Sequence, residues 1–343
     1  MKNMFILALI CSALFSCTQH KVEHVERAFY YWKSSQWGTT DKEESLVDSL
    51  HVKKLYVKFF EVEKNSVMGS IPISKTNFRM HGMNDSIAIV PTVYLHNDIF
   101  SKTDKAALDA LADNVNYLIT KYCTDYFRDD KQMAEYQMDC DWTLSTKDNY
   151  FYFLKKMKEL SKKKISCTLR LYPYKYPDKM GVPPVDSAML MCYNLINPME
   201  NKDKNSILDL DELSSYLGDY KYPLHLDIAL PLYSWAHVYQ NNQFARALYT
   251  DIRGLKKVLK QEKPLWYEVV KDTTISDFYF RKGDKVKIEE MDAEYINKAI
   301  AIIKKKVPLD KNITVSLFHL DEVQLSAYTN EQIDSFYTGF TQQ

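Results

Sequence analysis

Residues 135–143 read EYQMDCDWT, from Glu135 to Thr143. Glu135, Gln137, Asp139 and Asp141 alternate with Tyr136, Met138, Cys140 and Trp142. A period of two places the four acidic or amide groups on one face of a β-strand. Against water such a face costs little. Enclosed in protein, each group needs a partner. Which case applies depends on what the neighbouring segments do.

Seven other short runs rich in apolar, β-branched or aromatic residues flank this one. They are Ala28–Trp32, Leu55–Glu63, Ser86–Leu95, Ile165–Pro173, Ala188–Leu195, Leu224–Tyr233 and Asn312–Asp321. Helical patterns lie between them. Leu108, Leu111, Ala112, Val115, Leu118 and Ile119 recur at helical spacing after a capping Ser101 or Thr103. Phe151, Leu154 and Met157 share a face of a second helix that opens near Ser145 and closes in lysines, which suit a helix C-terminus. Further helical stretches follow near Gly218, over 251–260 and over 293–306. Eight strand signals alternating with helices predict a parallel sheet. The count and the length of 343 residues favour a closed eight-stranded (β/α)8 barrel of the TIM type, with an open doubly wound sheet as the alternative. The barrel is expected over 28–337. Extra strand signal at Leu265–Met291 predicts a small β insertion between the seventh and eighth strands, with Lys282-Gly283-Asp284 as a hairpin turn.

Lysines plus arginines equal aspartates plus glutamates at 45 each. A nucleic-acid footprint needs a basic excess, so none is expected. Eight glycines leave no glycine-rich phosphate cradle, and no cofactor is implied. Tyrosine outnumbers phenylalanine, 25 to 16, which means many aromatic surfaces with one wet edge; sugar-facing clefts use these, and so do ordinary tyrosine-rich folds. Cys123, Cys140, Cys167 and Cys192 have neither a metal-ligand spacing nor a disulfide framework and are read as buried thiols.

The N-terminus differs from the rest. MKNMFILALICSALFSC has one lysine, then an apolar run from Met4 to Phe15, too short for a permanent membrane span. This is the pattern of a secretory signal peptide over 1–16. Its end, LFSC, resembles a bacterial lipobox, in which Cys17 becomes the lipidated first residue. Residues 17–27 are then a polar tether. The implied location is the bacterial cell envelope, with a membrane partner through the lipid anchor and the outer membrane as the expected site, its face left open.

In a (β/α)8 barrel, functional groups sit at the C-terminal ends of the strands. Asp141 lies at that end of the fourth strand with Asp139 two residues deeper, about 7 Å away along the chain. Glu135 lies at the opposite end and is read as structural. Two carboxylates sharing a dry face raise one another's pKa. Against this, Arg170 on the fifth strand could neutralise Asp139. Glu61 closes the second strand, Tyr193 and Asn194 the sixth, and Tyr233 and Trp235 the seventh; Trp32 follows the first.

These positions carry a resemblance. In family 18 glycoside hydrolases, the chitinases and endo-N-acetylglucosaminidases, the fourth strand ends in D-x-x-D-x-D-x-E, often DGIDLDWE. Here YQMDCDWT keeps Asp139, Asp141 and Trp142. MCYN, Met191–Asn194, is similar to the family's M-x-Y-D, and ALPLY keeps Pro231 and Tyr233 of G-x-P-x-Y. The resemblance implies a glycan partner and a mouth lined by these residues, with Asp139 and Asp141 as the catalytic candidates. The departures are specific. Thr143 stands where that family has its proton-donating Glu, Asn194 stands for an Asp, and Phe318 stands for the tryptophan floor. Two glycan-directed readings follow: a membrane-anchored glycoside hydrolase using another carboxylate pair, with Glu61, Asp227, Glu268 and Asp321 as candidates, or a catalytically inactive barrel that binds a carbohydrate or a protein. A structural lipoprotein without ligand is the third. No metal site is expected.

Overall fold

The computed structural model describes residues 21–33, 38–77, 86–127, 133–200 and 203–342. Cys17 and the expected signal segment lie outside the described residues.

The strands before the insertion are β1 (His24–Tyr31), β2 (Lys54–Asn65), β3 (Gly69–Ile73), β4 (Ala88–Leu95), β5 (Glu135–Asp139), β6 (Lys164–Leu169), β7 (Ser187–Met191) and β8 (His225–Pro231). The insertion adds β9 (Trp235–Gln240), β10 (Gln243–Leu248), β11 (Leu259–Lys263), β12 (Trp266–Val269), β13 (Thr273–Ile275), β14 (Phe278–Phe280) and β15 (Lys285–Glu289). β16 (Asn312–Phe318) follows. Eight strands pair in parallel around a ring, in the order β1-β2-β4-β5-β6-β7-β8-β16. The ring is closed: Ala28 of β1 has Ser316 on one side and Lys54 on the other. Closure removes both sheet edges. β3 lies outside the ring, folded back antiparallel on the upper half of β2, with Glu61 opposite Ile73. Its tight return uses the Asn65 carboxamide oxygen, which accepts from Val67 and Met68 N–H, and Gly69 at φ 74°.

β1 begins at His24, inside the stretch expected as tether. Its start is polar because the foot of the barrel, where the strands begin, is an ion-pair region. Glu26 meets Lys54 at 2.5 Å and Arg27 meets Asp334 at 2.6 Å. Backbone pairing of His24–Phe29 with Asn312–Leu317 fixes the strand regardless of hydropathy.

Helices α1 (Asp41–Ser49), α2 (Lys105–Tyr126), α3 (Lys147–Ser161), α4 (Leu210–Tyr216), α5 (Ala293–Lys306) and α6 (Asn330–Thr338) are the longer ones. On α2, Leu108, Leu111, Ala112, Val115 and Ile119 are buried, as the spacing predicts; Asp104 caps it, not Ser101 or Thr103. The segment expected to be helical over 251–260 is helical only at Ile252–Lys256 before β11 begins.

The insertion starts earlier than the sequence pattern indicates, at Trp235. It is a five-stranded antiparallel sheet in the order β10-β9-β15-β12-β11, with a separate β13–β14 pair. The missed hairpin turns at Asn241-Asn242, both left-handed at φ 51° and 62°. An asparagine pair between β-rich flanks is a turn signal in its own right. Lys282-Gly283-Asp284 is a turn, but it passes the chain from one sheet to the other, from β14 to β15. The insertion has its own core, including Val238, Leu255, Phe280 and Ile288. A fully buried ion pair, Lys287–Glu289 at 2.5 Å, joins it to the barrel: Glu289 accepts from Ser206 Oγ and Lys287 donates to the Lys204 carbonyl. The four cysteines Cys123, Cys140, Cys167 and Cys192 are buried and free.

Candidate functional site

The alternating residues of β5 climb the inside of the barrel. At the foot, buried Glu135 accepts from Ser166 Oγ at 2.5 Å and lies 3.2 Å from Lys164 Nζ. One step up, Gln137 Oε1 accepts from Tyr30 of β1 at 2.8 Å. β1 and β5 are not ring neighbours, so this bond crosses the barrel interior. Asp139 is the last residue of the strand, half-buried at the mouth. Asp141 lies beyond the strand end with its side chain 59 % exposed. The polar face is thus buried at Glu135 and Gln137, half-buried at Asp139 and open to solvent at Asp141.

Among the described residues, the Asp139 carboxylate accepts from Thr168 Oγ1 at 2.7 Å. Burial and the nearby Asp141 carboxylate push its pKa up to about 7; Glu61 adds to this, and the Thr168 bond and Arg170 charge only partly offset it. Arg170 does not pair with Asp139, as the strand positions allowed. Its Nε lies 3.5 Å from Asp141 Oδ1 and its Nη2 donates to the Asn194 carbonyl at 2.6 Å. A long guanidinium arm at the end of β6 reaches sideways over the mouth, where the exposed carboxylate is the easier partner.

A cleft of about 170 Å³ opens here. Asp139, Asp141, Trp32, Tyr193, Asn194 and Phe318 line it, and so do Tyr94, Arg170 and Met191. Tyr94, next to last in β4, lies beside Asp139 in register, and burial and the Asp139 and Asp141 charges push its hydroxyl up to about 12. The sequence marked Arg170 only as an ion partner and passed over Tyr94; an aromatic near the C-terminal end of a strand next to β5 was the available signal. Phe318 is the hub of the wall, with ring centroids 5.8 Å from Trp32 and 5.4 Å from Tyr193. Asn194 sits at φ 53°, which asparagine tolerates better than most residues. Tyr233 donates to its side-chain oxygen.

Three expected site residues stand back from the cleft. Tyr233 is buried behind Asn194. Trp235 packs on Tyr233, with its Nε1 held at 2.5 Å by Glu289 of the insertion. Glu61 is held by Lys58 at 2.5 Å and lies 3.6 Å from His96 Nε2, and it reaches Asp139 only through its field. The other carboxylates considered as partners are elsewhere. Asp227 is at the foot, bonded to His225 and the Thr314 N–H; Glu268 pairs with Lys285 on the insertion; Asp321 caps the turn at Glu322–Leu325. Thr143 is exposed, its hydroxyl within 3.0 Å of Ser145 Oγ and 3.1 Å of Thr146 Oγ1, at the entry to α3. Among the described residues no group of three or more His, Cys, Asp or Glu could hold a metal ion.

No protein-family model matches the chain, and no curated protein sequence does. Similar solved structures include the Bacillus cereus spore cortex-lytic enzyme SleL, at 13% identity over 94% of this chain and 75% of that one, with a TM-score of 0.49. A tamarind chitinase-like lectin is 11% identical over 91% and 98%, with a TM-score of 0.45. A xylanase and α-amylase inhibitor protein, XAIP-II from Scadoxus multiflorus, is 8% identical over 92% and 97%, with a TM-score of 0.44. At these identities and scores, nothing about activity or ligand passes from them to this chain.

Proposed function

We propose that the barrel mouth binds a carbohydrate without hydrolysing it, on a chain held at the bacterial cell envelope by a lipid on Cys17. One observation carries the binding reading. A cleft at the C-terminal ends of the strands sets aromatic faces (Trp32, Tyr94, Phe318) around carboxylates and a guanidinium (Asp139, Asp141, Arg170). Aromatic faces take the apolar sides of a sugar ring, and the charged groups take its hydroxyls. The position corresponding to the resembled family's acid is Thr143, a hydroxyl tied to Ser145 and Thr146 that cannot protonate a leaving group near neutral pH.

Hydrolysis is the second reading, favoured by Asp139. A carboxyl with a pKa of about 7 is half protonated at neutral pH, the state a general acid needs.

Glycan-array binding and sugar-release assays on the same preparation separate these readings. The expected result is retention of a glycan without release of sugar, and weaker retention by Asp141→Asn by about 1–3 kcal/mol, the scale of a charged hydrogen bond. Release that Asp139→Asn or Asp141→Asn abolishes would establish the hydrolase instead. An empty array would end both. For the anchor, Cys17→Ser is expected to leave the protein without fatty acid and out of the membrane fraction; unchanged labelling would refute it.

A further inference from the structure

A second hollow, about 510 Å³, adjoins the cleft. The two share a wall, the Arg170–Asp141 pair. Beyond that wall the chemistry changes. Trp142, Leu144, Tyr172, Pro173 and Met180 form most of the lining. Leu144 is 47 % exposed and Tyr172 is 39 % exposed, and both line this groove. Several polar atoms around this groove already have partners within the protein. Trp142 Nε1 donates to the Met180 carbonyl, and Tyr172 accepts from Lys179 Nζ at 2.9 Å. Thr143 and Ser145 hydroxyls lie against each other at 3.0 Å.

A sugar ring in this groove would lose water from its hydroxyls and find few free partners, an unfavourable exchange. An alkyl, acyl or aryl group would need only contact area, which the groove supplies. Because the groove and the cleft share Arg170 and Asp141, a group in one can be attached to a sugar in the other. We infer that the ligand is an amphiphilic glycoconjugate, with its sugar in the cleft under Trp32 and Phe318 and its apolar aglycone crossing the Arg170–Asp141 wall into the Leu144–Tyr172 groove. This rests on the carbohydrate reading of the cleft and extends it to a class of ligand.

Calorimetric titration with matched pairs of probes tests it. Methyl and octyl β-glycosides of glucose and of N-acetylglucosamine are used below their micelle concentrations, beside a glycan array. With at least one sugar the octyl glycoside is expected to bind tenfold or more tighter than its methyl partner, on the order expected for several buried methylenes. Phenyl glycosides distinguish an aryl from an alkyl preference. The double variant Leu144→Asp, Tyr172→Gln is expected to lose the octyl advantage and to keep the affinity for the methyl glycoside. Equal binding of methyl and octyl forms, or an octyl advantage that survives in the double variant, overturns the inference while a positive array leaves the cleft reading standing. An empty array with no binding of any methyl glycoside removes both, even if octyl chains bind.

Discussion

The two ends of this barrel carry the same kinds of side chain and use them oppositely. At the foot, charges are matched within the protein. His225 stands between Asp310, at 2.8 Å from Nδ1, and Asp227, at 3.2 Å from Nε2. Burial would raise the Asp227 pKa, yet the His225 bond and charge, the Thr314 N–H and Lys164 bring it below the usual carboxylate value. The Asp227 bond, followed by the Asp227 and Asp310 charges and the Asp310 bond, raises the His225 pKa against its partial burial. At the mouth, half-buried Asp139 has, among the described residues, a hydroxyl and no cation bonded to it, and its pKa moves the other way. β5 alone spans the contrast, with Glu135 held by Lys164 and Ser166 at its start and Asp139 without a bonded cation at its end. Buried charge that is fully paired is scaffold. Buried charge without a bonded cation is a cost to the fold, which a ligand can offset.

That contrast predicts a graded series. The largest effect belongs to Asp227→Leu, which leaves His225 without one carboxylate and the Thr314 N–H without its acceptor; a loss of about 3 kcal/mol in urea unfolding is expected. A loss below about 0.5 kcal/mol would mean the foot does not depend on its pairing. Asp139→Asn is expected to act in the opposite direction. The ordinary Asp pKa is about 3.9 and the folded one about 7, so over this window the folded protein keeps a proton that the unfolded chain has released. Stability from this group is therefore full below about pH 4 and is lost as pH rises to 7. Asn does not titrate, so the variant should exceed the parent by roughly 1–3 kcal/mol at pH 8 and converge with it near pH 4. A variant less stable at pH 8 would place Asp139 among the scaffold charges.

His225→Gln should cost roughly 1 kcal/mol, and the cost should depend on pH. A raised histidine pKa gives stability that is complete below the unfolded value, about 6.5, and is lost as pH rises through the higher folded value. Melting curves from pH 5 to 9 should therefore show parent and variant approaching each other at the alkaline end; a constant gap would argue against an imidazolium. The smallest effect is expected for Asp141→Asn. Its side chain is 59 % exposed and its Arg170 contact is long, so stability should move by no more than about 0.5 kcal/mol. Its consequence should appear in glycan affinity alone.

The ring of strands was legible because short strand-like runs, most of them nearly continuously apolar and the fourth alternating, recur between helical patterns, and all eight lie in the ring. What escaped has a common physical origin. The start of β1 is polar because backbone pairing and ion pairs hold it, not hydropathy. β9 and β10 follow directly on β8 through Leu232–Ser234, so no composition break marks where the barrel stops and the insertion starts. In the cleft, strand position located Asp139, Asp141, Tyr193 and Asn194, but it could not say where a flexible side chain points. Arg170 therefore went to Asp141, and Trp235 turned to Glu289, a partner 54 residues further on.

The direction of β1 also sets how the molecule is presented. The chain enters at the foot, where Glu23 and His24 donate backbone N–H groups to the Lys311 carbonyl, and runs upward to Trp32 at the mouth. Any surface gripping the segment before Val22 would hold the barrel by its base, like a cup on its stem. The rim, with Trp32 in it, then lies at the end of the barrel opposite the point of attachment.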